Sequence, residues 1–178
     1  MNKHEKALLD LIAWAEGTLG VSQNGYDVTF DFYKIEGWTP NTNIVHEGWC
    51  FPFGNTTTNA VGRYQFLLTT WKSIWGGKNK PLTKKNQDEG AIKLVQKRFK
   101  ETDLEPRSVN ITEIHIREKF DIMMNKLARE WASFVLSKNI TYKNKVYYKN
   151  RGFYSNQGKK KTVDDFYQIF IKALNKYS

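Results

Sequence analysis

The sequence predicts an α+β fold, mainly helical, with a small β lobe inserted after the first helix. Three observations carry this. Leu8, Leu11, Ile12 and Ala15 recur at helical spacing near the N-terminus. Residues 24–60 lose that period and carry turn signals at Asn24-Gly25, Glu36-Gly37, Thr39-Pro40 and Gly54-Asn55. From Gly62 onward the helical period returns and recurs to the end of the chain.

The first helix is expected from Lys3 to Ala15, ended by Gly17 and Gly20. In the lobe, Tyr26, Val28, Phe30 and Phe32 alternate with Asp27, Thr29 and Asp31. That period predicts a half-buried strand, paired with the segment from Ile44 to Trp49. A helix opening at Gly62 is expected to run through Phe66, Leu67, Thr70, Trp71, Ile74 and Trp75 to Gly76-Gly77. Thr83 caps a helix reaching about Phe99, with Ile92, Val95 and Phe99 on its apolar face. Asn110 or Thr112 caps the next, which runs to about Phe134 through Ile116, Phe120, Met123, Leu127 and Trp131. Residues 136–161, rich in Lys, Asn and Tyr, read as a loop with a short hairpin. Thr162-Val163-Asp164-Asp165 is a capping-box variant that opens a last helix with Phe166, Ile169, Phe170 and Leu174 on one face. With no repeat and no linker visible, residues 1–178 are expected to form a single domain, the β lobe lying at about 24–60.

Hydrophobic residues make up 40% of the 178 and aromatics 15%, enough to bury a core and to exclude intrinsic disorder. The formal net charge of +10 implies an anionic partner without choosing among nucleic acid, membrane and acidic polymer. The lone cysteine, Cys50, excludes an intramolecular disulfide and, beside Trp49 and Phe51, reads as a buried apolar filler. His4, His46 and His115 are scattered, with no metal-ligand spacing, so no metal or other cofactor is expected. The segment Met1 to Ile12 lacks the shape of a signal peptide, and no stretch reaches transmembrane length. The chain is therefore expected to stay in the cytoplasm or to leave it without a cleaved signal.

Two features carry chemistry. Glu16 lies four residues after Ile12 and eight after Leu8, so it extends the apolar stripe of the first helix. A carboxyl pushed toward a core or cleft wall is desolvated, which favours its protonated form. A protonated carboxylic acid near neutral pH suits cleavage of a glycosidic bond, whose leaving oxygen must receive a proton. Spacing alone favours the plainer reading of a solvated or capping Glu at a frayed helix end. The second feature is Gly62-Arg63-Tyr64-Gln65. Alone it reads as a helix start. As a polysaccharide subsite, Gln65 would hydrogen-bond sugar hydroxyls and acetamido groups, Tyr64 would stack on a pyranose face with its hydroxyl wet, and Gly62 would let a ligand approach the backbone.

Together these segments resemble a known family. Leu11-Ile12-Ala13-Trp14-Ala15-Glu16-Gly17-Thr18, then Gly25-Tyr26-Asp27-Val28, then Gly62-Arg63-Tyr64-Gln65 with Trp71 beyond, closely resemble the phage lambda-type endolysins. Trp131-Ala132-Ser133 is a further match, and Gly152-Phe153-Tyr154-Ser155-Asn156-Gln157-Gly158 a looser one. Those proteins are peptidoglycan lytic transglycosylases with a lysozyme-like fold. Position by position, the resemblance implies that Glu16 is the catalytic residue and that Gln65, Tyr64, Tyr26, Asp27, Tyr154 and Gln157 bind substrate. Relative to the family, the loop 136–161 looks longer and more basic.

In the mechanism so implied, Glu16 alone acts first as acid and then as base on the bond between N-acetylmuramic acid and N-acetylglucosamine, leaving a 1,6-anhydro end. A hydrolytic lysozyme would need a second carboxylate, for which Asp27 and Asp31 are the first candidates, with Glu36 and Glu47 behind them. The implied partners are peptidoglycan glycan strands and the anionic bacterial envelope. The protein is expected to act as a monomer, waiting in the host bacterial cytoplasm until release to the periplasm or wall. A rival class is a nucleic-acid binder, suggested by Tyr142, Tyr147, Tyr148 and Phe153 among the lysines of 138–161. A non-catalytic wall-binding protein of the same fold is a third reading. No helix-turn-helix, zinc or RNA-recognition motif supports nucleic acid, and none is expected as a partner.

Overall fold

The computed structural model of the chain describes residues 1–103, 105–154 and 161–178. Its helices and strands are, in order, α1 (Lys3–Ala15), β1 (Phe51–Phe53), β2 (Thr56–Thr58), α2 (Leu68–Ile74), α3 (Lys84–Lys100), α4 (Arg117–Leu127), β3 (Ile140–Tyr142), β4 (Lys145–Tyr147) and α5 (Val163–Lys176). They fall into two compact units, one of Met1–Ala15 with Leu94–Ser178, the other of Glu16–Lys93. No helix among the described residues is long and apolar enough to cross a membrane.

The first unit is built on α1 and α5. Leu8, Leu11 and Ile12 of α1 are fully buried, as are Phe120, Phe134, Phe166 and Phe170. Phe166 meets Trp14 edge-on at 5.1 Å and Phe134 at 5.0 Å. The capping box of α5 forms as expected: Asp165 Oδ2 accepts from the Thr162 backbone N–H at 2.7 Å, and the Thr162 hydroxyl oxygen accepts from the Asp165 N–H. At the other end of the fold's sequence, Lys161 donates to the carbonyl oxygens of Trp14 and Ala15 at 3.1 Å each. These are open carbonyls at the C-terminus of α1, where a cation is favoured.

The helix expected from 110 to 134 is shorter. Asn110 caps only a 3-10 turn, Ile111–Glu113, and α4 begins after Ile116, whose backbone is extended (ψ 123°). Beyond Leu127 the chain folds back, so that Ser137 bonds Asn125 Oδ1 through its N–H and the Asp121 carbonyl through its hydroxyl. Trp131 and Phe134 stay buried, on turns instead of a helix. The hairpin expected within 136–161 is present, with Ile140 opposite Tyr147 and Tyr142 opposite Lys145. Tyr147 stacks on the buried Phe153 at 4.5 Å, and Tyr142 packs against the same ring at 5.9 Å.

The second unit departs most from expectation. No strand spans Tyr26 to Phe32. Val28 bridges Lys34 and Thr29 bridges Val61, and between them the chain makes a tight turn with Asp31 at φ 62° and Phe32 at φ 64°. The expected pairing with Ile44–Trp49 is replaced by the β1–β2 hairpin. Gly62–Gln65 is likewise not a helix start. It is the loop of a tight hairpin, closed by a mutual pair of backbone bonds between Val61 and Phe66 at 3.0 and 2.8 Å. Helix α2 begins only at Leu68, and Thr83 caps α3 by accepting from the Asn86 N–H at 3.0 Å. Cys50 is exposed and is not a core filler. His46 is the satisfied histidine expected, buried with Nε2 bonded to the Phe66 carbonyl at 3.1 Å. His4 and His115 are not scattered: their rings lie 5.5 Å apart.

Glu105 is the most strongly held carboxylate of the first unit. It is almost wholly buried, paired at 2.8 Å with both Arg107 and Lys138. Hydrogen bonding from Arg107 first, then from Lys138, lowers its pKa to about 2 against the burial that opposes it. A folded-state pKa below the unfolded one means that its stabilisation is complete above about pH 4.5 and fades as the pH falls toward 2. Its partners are half exposed, so solvent screening reduces the effect to about 1–2 kcal/mol between pH 7 and pH 3. Urea unfolding of wild type and Glu105→Gln at both pH values checks this: the variant is expected to lose that much less stability on acidification.

Candidate active site

The candidate site lies in the second unit and starts at the end of α1. Glu16 follows the last helical residue and is partly exposed, so it is less desolvated than its place on the apolar stripe implies. Gly17, at φ 78°, turns the chain out of the helix. Its bare α-carbon receives the edge of the Phe32 ring: a Cβ there would stand 3.3 Å from Phe32 Cζ. Thr18, fully buried, donates its hydroxyl to the Arg63 carbonyl at 2.6 Å. That bond ties the segment after Glu16 to the Gly62–Gln65 turn.

The turn is fastened from beneath by α3. Gln87 Oε1 accepts from the Arg63 N–H at 2.9 Å, while its Nε2 donates to the carbonyls of Tyr26 and Leu82 at 2.9 Å each. Gly62 sits directly over this amide. It has φ 74°, and a Cβ on it would fall 2.2 Å from Gln87 Oε1. Next to Gln87, the buried Asp88 takes the hydroxyls of Tyr26 and Tyr64 on Oδ1, at 2.7 and 2.6 Å, and Lys84 Nζ on Oδ2 at 2.8 Å. Burial, then the Asp88 charge, raises the pKa of both tyrosines, Tyr64 well above the ordinary phenol value. Burial works against the Lys84 ammonium, yet hydrogen bonds to Asp88 and Tyr26 outweigh it and leave its pKa raised. The buried Arg63 guanidinium lies 5.2 Å from the Tyr26 ring and 5.8 Å from the Tyr64 ring, and donates to the Asn24 carbonyl at 2.6 Å.

The residues singled out from the sequence therefore divide. Gln65 is at the surface of the turn, partly exposed at φ 50°, with Nε2 donating to the Gly62 carbonyl at 3.0 Å. Tyr64 is only 1% exposed, which corrects its reading as a wet stacking platform. Tyr26 is buried on the same carboxylate. Asp27 is fully buried and accepts from the Ser22 hydroxyl at 2.6 Å and the Gln23 N–H at 3.0 Å, which closes its own loop. That corrects the alternation, which set Asp27 opposite the apolar side of a half-buried strand. Asp31 is exposed at the tight turn. Tyr154 belongs to the other unit, exposed, with its hydroxyl donating to the Arg129 carbonyl. Gln157 lies outside the described residues. Glu36 and Glu47 line a separate groove of about 420 Å³ in the lobe, with Tyr33, Lys34, Trp49 and Phe51. No cluster of three or more metal-ligating side chains occurs among the described residues.

Gln87, Asp88 and Phe32 were not singled out by the sequence reading. Asp88 had a signal: it precedes the apolar Ile92 by four residues, the same anomaly that drew attention to Glu16.

Comparisons with known proteins identify the family and the fold. The endolysin family model matches residues 6–161, most of the chain. The chain belongs to the endolysin family. Two solved structures share its fold, lysozyme from bacteriophage lambda and the same lysozyme complexed with a chitohexasaccharide, with TM-scores of 0.61 and 0.62. Each is 21% identical, over 97% of this chain and 95% of the other. The α+β, lysozyme-like architecture is thereby established, and membership of the family makes the protein a peptidoglycan-degrading enzyme. No curated protein sequence matches the chain significantly.

Gly62→Ala tests the seat of the turn. Strain at positive φ and the clash with Gln87 are expected to remove about 2–4 kcal/mol of stability in urea unfolding. A loss under about 0.5 kcal/mol would mean that the turn and Gln87 can move apart freely.

Proposed function

We propose that the protein is a lytic transglycosylase that cleaves the β-1,4 bond between N-acetylmuramic acid and N-acetylglucosamine, with Glu16 as its acid and base. The observation that carries this is the tie between the segment after Glu16 and the Gly62–Gln65 turn, in a chain of the endolysin family. Glu16 donates its proton to the glycosidic oxygen as the C1–O bond breaks. The sugar passes through an oxocarbenium-like state. Glu16, now ionised, takes the proton of the C6 hydroxyl, and O6 closes on C1. No water is consumed and Glu16 ends protonated, ready for the next bond.

Asp27 supports a one-carboxylate mechanism, since it is buried and occupied by Ser22 and Gln23. Asp31, exposed on the turn, and the groove carboxylates Glu36 and Glu47 are the groups a hydrolytic rival would use. Gln65 is the turn residue we assign to sugar amide or hydroxyl contacts, and Tyr154 is assigned to substrate on the family resemblance alone. Tyr26, Tyr64 and Asp27 act by positioning the turn and loop. The glycan complex of lambda lysozyme supports a glycan strand as ligand here. Against a nucleic-acid function, Tyr142 and Tyr147 pack on the buried Phe153, which leaves Tyr148 as the one exposed ring of the four. The enzyme is read as a monomer held in the host cytoplasm and released to the wall at lysis.

Mass spectrometry of muropeptides released from purified wall decides the chemistry. Anhydro-muramic ends are expected, and reducing ends would establish hydrolysis instead. Glu16→Gln is expected to keep the fold, judged by circular dichroism, and to lower lysis at least 1,000-fold, on the order of the loss expected when a lone acid-base group is removed. A folded variant lysing at the wild-type rate would remove Glu16 from the mechanism.

A further inference from the structure

Phe32 is placed as no ordinary packing residue would be. Its backbone is left-handed, at φ 64°, directly after Asp31 at φ 62°. An aspartate tolerates that conformation. A phenylalanine is strained in it, and such strain persists only where the surroundings impose it. Here they do: the Thr29 N–H and hydroxyl both bond the Tyr33 carbonyl, at 2.8 and 3.1 Å, the Phe32 N–H bonds the Thr29 carbonyl at 3.2 Å, and the Phe30 N–H bonds the Ala60 carbonyl at 2.8 Å. The turn is locked on both sides.

The strain does not hide the ring from water. Phe32 is 47% exposed. One edge of the ring faces the side-chain position that Gly17 leaves empty, where a Cβ would stand 3.3 Å from Phe32 Cζ, and Gly17 is the residue next to Glu16. Beyond it, Tyr33 is 61% exposed, with its ring stacked on Phe51 at 6.0 Å. An exposed aromatic face, held against the residue that follows Glu16, suits the apolar face of a pyranose, whose axial C–H groups pack on a ring while its hydroxyls point outward.

We propose that Phe32 is a substrate-binding residue, its exposed face stacking on the sugar next to the bond that Glu16 protonates. This rests on the reading of Glu16 as the acid. The locked turn supplies the ring in its bound orientation, so little ordering is needed when the glycan arrives.

Phe32→Gly and Phe32→Asn test it, because both residues accept the left-handed backbone and the fold should tolerate or gain from the change. Binding is measured by calorimetry with an N-acetylglucosamine hexamer in the Glu16→Gln background, where no cleavage complicates the titration. Each variant is expected to weaken binding on the order of tenfold, and Phe32→Tyr to bind as the parent does. In the Glu16-containing enzyme the same variants should lower kcat/KM for wall lysis by at least as much, with Phe32→Tyr near wild type. Parental affinity in either folded Gly or Asn variant, or an equal loss in Phe32→Tyr, overturns the proposal. Failure of the underlying reading has a separate signature: Glu16→Gln alone would keep cleaving.

Discussion

The second unit depends on one buried carboxylate and the amide beside it. Asp88 accepts from Tyr26, Tyr64 and Lys84 together, and Gln87 holds Arg63, Tyr26 and Leu82. A charge taken out of water is costly unless its lone pairs are met. Here two phenols and an ammonium meet them, and the aromatic rings that carry the phenols also cover the Arg63 guanidinium. Loop 24–27 and turn 62–65 are thus fastened to one face of α3, although few residues of either are in regular structure. Breaking one member leaves the others buried without a counterpart, so the network behaves as a unit.

Rigidity of this kind has a consequence for catalysis. In the mechanism we propose, a single carboxyl serves as acid and then as base, and so has to stay within hydrogen-bond reach of two different oxygens of one sugar. Helix α1 ends at Ala15, so Glu16 lies just past its last helical residue. The Thr18–Arg63 bond at 2.6 Å restores the constraint two residues later, and passes it through the turn to Gln87. Positioning by hydrogen-bonded backbone takes over where the helix stops.

Sequence patterns revealed the elements whose signals are long or chemically distinctive. Helices α1 and α3 have extended apolar faces, and α5 has both a face and a capping box, so their limits were readable nearly to the residue. The segment 26–32 misled because its period-2 alternation is genuine, while its turn is filled by Asp31 and Phe32 and not by Gly or Asn. Gly62 announced a helix for the same reason inverted: its freedom serves a hairpin loop over Gln87. In the site, Glu16 and the Gly62–Gln65 run were legible as anomalies that match a family. The role of Tyr64 was not, because a tyrosine's exposure depends on a partner 24 residues away, Asp88.

Glu16 and Phe32 are two positions at which this chain departs from local preference. One is a carboxyl on an apolar stripe, the other an aromatic ring on a left-handed backbone. Both positions adjoin Gly17, Glu16 along the chain and Phe32 through the edge of its ring, where α1 has given way to an irregular chain. A folded protein removes such conflicts wherever they serve nothing, since Gly at position 32 would relieve the strain and a core residue at 16 would continue the stripe. Two such departures meet at one glycine, beside a network rigid enough to sustain them, which is the pattern expected of a site selected for chemistry over stability and supports the roles proposed for both residues.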